Sequence, residues 1–262
     1  MNFKIIANLQ SLNIYGLLFI NILQLCMVLN YRAMKKFFLI VISAIALLNA
    51  CNRSEECRTI SILGDSYSTF DGYIPEGNAI WYSAMPNGKN DVVRVEDTWW
   101  HLMCSSGKFE LLQNDSFSGS TICNTGYGAC DATYSSFITR MKRLVEQNEA
   151  PDILFIFGAT NDSWANSPIG GLQYSDWTTE DLFSFLPACC YMLDYLKESL
   201  PQTQIVFVIN TELKQEIVNG IIDVCEHYGV SYILLKDIDK LSGHPSILGM
   251  QQICSQLTDF VK

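Results

Sequence analysis

Four short patches of this chain carry the residue types needed for acyl transfer. They are Gly64-Asp65-Ser66, Ser118-Gly119-Ser120, Ala159-Thr160-Asn161-Asp162 and Gly243-His244-Pro245. Together they supply a hydroxyl, a backbone N–H at a glycine, a carboxamide and an imidazole. A neutral serine is a poor nucleophile and needs a base within about 3 Å. Attack on an ester creates a tetrahedral oxyanion, and fixed donors aimed at it contribute roughly 3–4 kcal/mol each. Glycine at 119 lets the backbone approach closely because it has no Cβ. The carboxamide of Asn161 donates without competing as a base. Taken singly, each patch also has a plain reading. Gly-Asp-Ser and Ser-Gly-Ser are turn compositions, Asn161-Asp162 suits a helix cap or an Asx-turn, and a lone histidine is more often structural. His101 and His227 sit in helical patterns and read as structural.

The elements around the patches place them at strand ends. Thr59–Leu63 is an apolar run that reads as a buried strand. Further strand candidates are Phe109–Gln113, Ile153–Phe157, Ile205–Ile209 and Tyr232–Leu235. Helical patterns lie between them at Thr98–Cys104, Tyr134–Glu149, Glu180–Leu200, Glu212–Tyr228 and Ser246–Phe260. Pro187 is expected to kink or split the third of these. Such alternation predicts an α/β fold with a parallel sheet covered by helices on both faces. Open α/β sheets carry their sites at the carboxyl ends of strands, where Ser66 falls. Asp71–Asp97 breaks the pattern. It is rich in Gly, Pro, Asn and aromatics, too long for a bare connection, and is expected to shape a pocket.

The order and spacing of Gly64-Asp65-Ser66, Gly119, Asn161 and His244 resemble the SGNH/GDSL hydrolases over nearly all of the chain after residue 58. The resemblance implies a three-layer α/β/α sandwich, flavodoxin-like, with about five parallel strands. It assigns Ser66 as nucleophile, His244 as base, and Gly119, Asn161 and the Ser66 N–H as the oxyanion hole. It implies an esterase that works without cofactor or metal. Two departures stand out. Ala159 occupies a position where the family often has glycine. Leu241 occupies the position, three before the histidine, where the family commonly has an aspartate that orients the ring. Asp239 and Asp237 are the possible orienters nearby; otherwise a main-chain carbonyl near Leu241 holds the ring in a Ser–His dyad.

The amino terminus reads as a targeting segment. Met34-Lys35-Lys36, the apolar run Phe37–Leu48 and Leu48-Asn49-Ala50-Cys51 follow the order of a signal peptide. Cysteine at the cut resembles the lipobox of bacterial lipoproteins, so Cys51 is the expected lipidation site. The expected organisation is 34–50 signal peptide, 51–58 lipidated tether and 59–262 hydrolase domain. Residues 1–33 read as an over-extended gene start. The alternative is a transmembrane segment, since residues 11–30 approach the roughly 20 apolar residues that cross a bilayer.

Charge and cysteines narrow the partners. Residues 1–50 hold four of the 17 basic residues and no acidic ones, leaving 13 basic against 27 acidic, a net −14. Such a surface repels nucleic acid. No C-x-x-C pair or Cys/His zinc spacing occurs, so no metal is expected. Cys123 and Cys130 are the candidate local disulfide. The expected function is an extracytoplasmic, lipid-anchored esterase of the bacterial cell envelope, acting on acetyl or short acyl groups of a glycan. Trp81, Tyr82, Trp99, Trp100, Trp164 and Trp177 are candidate sugar-stacking faces, with core packing the alternative for Trp99 and Trp100. Alternatives are a lipase or thioesterase of membrane-derived substrates, or a glycan-binding lipoprotein without catalysis.

Overall fold

The computed structural model describes residues 57–262 except 87, 147 and 148. The signal peptide, Cys51 and the apolar stretch at 11–30 lie outside the described residues. The apolar runs form strands β1 (Arg58–Gly64), β2 (Phe109–Ser116), β3 (Ile153–Gly158), β4 (Gln204–Ile209) and β5 (Ser231–Leu234). These make one parallel sheet in the order β2-β1-β3-β4-β5. Helices α1 (Trp99–Ser105), α2 (Phe137–Glu146), α3 (Thr160–Ala165), α4 (Phe185–Ser199), α5 (Gln215–Tyr228) and α6 (Ile247–Phe260) intervene and follow.

Strand side chains alternate between faces, so each run feeds two cores. Leu154, Ile156, Ile205 and Phe207 join Phe137, Met141, Leu193 and Ile221 from α2, α4 and α5. Ile153, Phe155, Val206 and Val208 join Trp99, Met103, Ile253 and Leu257 from α1 and α6. Runs apolar at every position are therefore what a sheet buried on both faces requires. The result is the expected three-layer α/β/α sandwich. Its strand order reverses between β1 and β3, which opens a crevice above their carboxyl ends.

Element bounds differ from expectation where tertiary contacts override local pattern. β2 runs on through Asn114, Asp115 and Ser116, which are polar yet buried. They stay in register with Ile62, Leu63 and Gly64. Asp115 is held by Arg140 and Arg143, whose nitrogens lie 3.3 and 2.7 Å from Oδ1. Pro187 does not kink a helix. α4 begins at Phe185, so Pro187 falls in its first turn, where its missing N–H leaves no gap in the ladder. The eight described cysteines are free; Cys123 is buried with Sγ 3.7 Å from the Thr125 carbonyl, and Cys130 is exposed. The expected Cys123–Cys130 disulfide is thus not formed.

A two-stranded hairpin, β6 (Lys240–Leu241) with β7 (His244–Pro245), precedes α6. Its loop is Ser242-Gly243, with φ of 50° and 77°. Positive φ at both central residues is what a two-residue type I′ turn requires.

Candidate active site

Three of the patches sit just beyond strand ends, after β1, β2 and β3, and the fourth lies in the β6–β7 hairpin. Gly64 closes β1, and a Cβ there would lie 2.3 Å from Ser116 Oγ and 2.9 Å from Ser68 Cβ, so only glycine fits. Asp65 then caps a single 3-10 turn, Ser66–Ser68, by accepting the Tyr67 N–H at 3.0 Å. Burial pushes the Asp65 carboxyl up to about 7. This turn presents Ser66. His244, from the hairpin, places Nε2 2.9 Å from Ser66 Oγ. Both side chains are nearly inaccessible to water, at 2% and 6% exposure.

The other ring nitrogen settles the orienter. His244 Nδ1 lies 3.2 Å from the carbonyl oxygen of Ser242. A carbonyl only accepts, so Nδ1 carries the proton and Nε2 is free to accept from Ser66. Neither candidate acid fills this position. The Asp239 carboxylate accepts from Ser246 Oγ, at the N-cap of α6. Asp237 makes no hydrogen bond to the ring among the described residues. The type I′ turn is the physical reason: it folds Ser242 C=O back onto the ring, while Leu241, the position where the family has its acid, is 42% exposed. The imidazole is lowered to about 4, chiefly by burial; the Ser242 carbonyl opposes the shift and Lys240 adds to it. The ring is therefore a neutral acceptor near pH 7.

Three donors are candidates for an oxyanion hole. Gly119, at φ 84°, and Ser66 have backbone N–H groups with no protein acceptor among the described residues. Asn161, on α3, donates one Nδ2 proton to the Ser120 carbonyl at 2.9 Å, leaving the second without an acceptor among the described residues. Asn161 is reached through Ala159, a buried non-glycine residue at φ 70°, so the family glycine it replaces marks a left-handed position. Asp162 accepts the N–H groups of Ile122 at 2.8 Å and Cys123 at 3.3 Å, which ties the Gly119 loop to α3. Buried Arg140 adds a second tie, donating to Gly64 O at 3.0 Å and Ser120 Oγ at 2.9 Å.

Two contributors were not foreseen from sequence. Tyr127 donates from its hydroxyl to Asn161 Oδ1 at 2.8 Å, fixing which end of the amide points onward. Its only signal is its setting between Gly126 and Gly128. Trp81 stacks on the His244 ring with centroids 3.6 Å apart and planes 10° apart. The irregular segment thus meets the base directly. Tyr82 O–H donates to Pro245 O at 2.9 Å and Asn90 Nδ2 to the same oxygen at 3.1 Å, clamping the hairpin. Among the sugar-stacking candidates, Trp99, Trp100 and Tyr82 are core, and Trp177 packs on Tyr191. Trp164 remains 41% exposed beside His244, edge-on at 5.9 Å.

A serine hydroxyl, a neutral imidazole and candidate N–H donors make a site suited to attack on an acyl carbon. Comparison with known proteins agrees. The profile of the GDSL-like lipase/acylhydrolase family matches residues 58–261. The chain is similar to a GDSL-like lipase from Bacteroides ovatus, with 49% identity, 79% of this chain and 98% of that one covered, and a TM-score of 0.75. It is similar also to one from Bacteroides uniformis, with 47% identity, 78% and 95% covered, and a TM-score of 0.73. A carbohydrate esterase 17% identical shares the fold, with 78% of this chain and 68% of that one covered and a TM-score of 0.54. No curated protein matches. With nearly every described residue inside the matched region, the chain belongs to the GDSL-like lipase/acylhydrolase family and is a hydrolase of ester bonds.

Proposed function

We propose that the protein removes acetyl or another short acyl group from a carbohydrate, through an acyl-enzyme on Ser66. The observation that carries this is the 2.9 Å contact between Ser66 Oγ and His244 Nε2. As Oγ bonds to the ester carbon, its proton passes to Nε2 and the carbonyl electrons move onto oxygen. The Ser66 and Gly119 N–H groups and the spare Asn161 Nδ2 proton receive that oxyanion. His244 then protonates the departing alcohol. Water repeats the cycle and frees Ser66. Trp164, exposed at the rim, offers a flat apolar face of the kind that sugar rings stack on. The fold is also that of a carbohydrate esterase.

In the same reading, Cys51 is lipidated and holds the enzyme in the bacterial cell envelope. The acidic chain then meets glycans rather than nucleic acid. Hydrolysis of acetylated xylo-oligosaccharide, p-nitrophenyl acetate and p-nitrophenyl palmitate by wild type and Ser66→Ala tests it. Release of acetate from the glycan, lost in Ser66→Ala, is expected. Preference for palmitate would favour a lipase of membrane-derived substrates. Glycan binding without turnover would favour the non-catalytic alternative.

A further inference from the structure

In a Ser–His–Asp arrangement the carboxylate holds the imidazole plane and stabilises the imidazolium that forms as the serine attacks. Here, among the described residues, Nδ1 meets only the neutral carbonyl of Ser242. That carbonyl selects the tautomer but carries no net charge to favour the imidazolium. Resting on the esterase reading above, we propose that Trp81 is a positioning residue that does the work of the absent carboxylate: its indole face fixes the His244 plane and attracts the imidazolium formed in the transition state.

The geometry is specific. Four aromatic rings surround His244, but only Trp81 meets it face to face. Tyr67, Tyr82 and Trp164 approach tilted or edge-on, with centroids at 5.3, 6.4 and 5.9 Å. An aromatic face carries negative potential and an edge positive, so the face-on ring is the one that gains when the imidazole becomes a cation. That gain is larger where water is excluded, as it is around buried His244. Trp81 is itself tied to the nucleophile. Its backbone N–H donates to Thr69 Oγ1 at 3.0 Å, and that hydroxyl donates to the Ser66 carbonyl at 3.0 Å. Base, stacking ring and nucleophile therefore share one framework.

The neighbouring charges cannot do the same. Lys240, on the hairpin, opposes protonation of the ring. It pairs with Glu212 Oε2 at 3.0 Å and lies 5.8 Å from the Tyr67 ring. Lys89 Nζ lies 5.9 Å from the Trp81 centroid and is a cation too. Tyr67 and Tyr82 are neutral and spend their hydroxyls on the carbonyls of Gly243 and Pro245.

The test is a series of fluorinated tryptophans placed at position 81 alone, from one fluorine to four. Fluorine drains the ring face while nearly keeping its shape. The expected result is a stepwise fall in kcat, reaching about 10-fold, with KM unchanged. The acid limb of kcat/KM should move to lower pH along the series, because the imidazolium loses its partner. A purely packing role for Trp81 would leave both readouts flat, and a flat series overturns the proposal. Trp81→Leu, which keeps an apolar cover without a π face, should lose at least as much in kcat. Ser66→Ala is assayed alongside. If it is inactive and the series is flat, only the role of Trp81 fails; if it is as active as wild type, the esterase reading fails first.

Discussion

In the proposed mechanism Tyr127 acts on the reaction through Asn161, and that dependence can be measured. The Tyr127 hydroxyl donates to Asn161 Oδ1 at 2.8 Å, while Asn161 Nδ2 donates to Ser120 O at 2.9 Å. Removing the carboxamide with Asn161→Ala deletes one oxyanion donor, about 3 kcal/mol of transition-state stabilisation and a loss of 100-fold or more in kcat. Tyr127→Phe removes one neutral hydrogen bond on a half-exposed side chain, worth about 1 kcal/mol. The amide keeps its Ser120 anchor, so kcat should fall only about 5-fold. KM should change little in either variant, because the contact matters when negative charge develops on the substrate oxygen. The diagnostic is the double variant. With Asn161 already alanine, Tyr127→Phe has nothing left to orient, so kcat should match Asn161→Ala within about 2-fold. Steady-state kinetics on p-nitrophenyl acetate for all four proteins closes this cycle. Two independent losses that multiply would show that Tyr127 does not act through the amide.

Other outcomes follow from the same geometry. Asp239→Asn and Asp237→Asn should keep kcat within about 3-fold, since the Ser242 carbonyl orients the ring; a loss of about 1000-fold with the fold intact would establish a triad. The acid limb of kcat/KM reports the free enzyme's base. Burial lowers His244 to about 4, so kcat/KM should hold level from pH 8 down past 6 and fall only below that; a midpoint at or above 6.5 would contradict this. Asp115→Ala strands the buried cation of Arg140 and should cost about 3–5 kcal/mol, read as a clear drop in Tm by thermal denaturation, whereas an unchanged Tm would show the pair to be dispensable.

Much of this architecture was legible because it rests on short-range rules. Runs such as Ile153–Phe157 are apolar at every position, which only a strand covered on both faces needs. Their alternation with helical patterns pointed to the sandwich, and three of the four polar patches fell at its strand ends. What escaped depends on distant partners. Asn114-Asp115-Ser116 reads as a polar loop; it becomes strand because Arg140 and Arg143, on α2, satisfy Asp115. The orienter of His244 is a main-chain carbonyl, and such a group has no side-chain signature. Ser242-Gly243 nevertheless carried the hairpin signal that aims it. Trp81 lies in an irregular segment with no periodicity, so its stack on the base arises only once the chain has folded. Ala159 shows the reverse case: a departure from the family glycine keeps the left-handed backbone that the glycine supplies.

The central claim is that Ser66, deprotonated by His244, is the attacking group. Reaction with a fluorophosphonate probe, followed by peptide mass spectrometry, tests it most directly. A single phosphonylated serine at position 66 is expected, its labelling slowed at least 100-fold in His244→Ala and absent in Ser66→Ala. Labelling at another serine, or equal labelling of the Ser66→Ala protein, would contradict it.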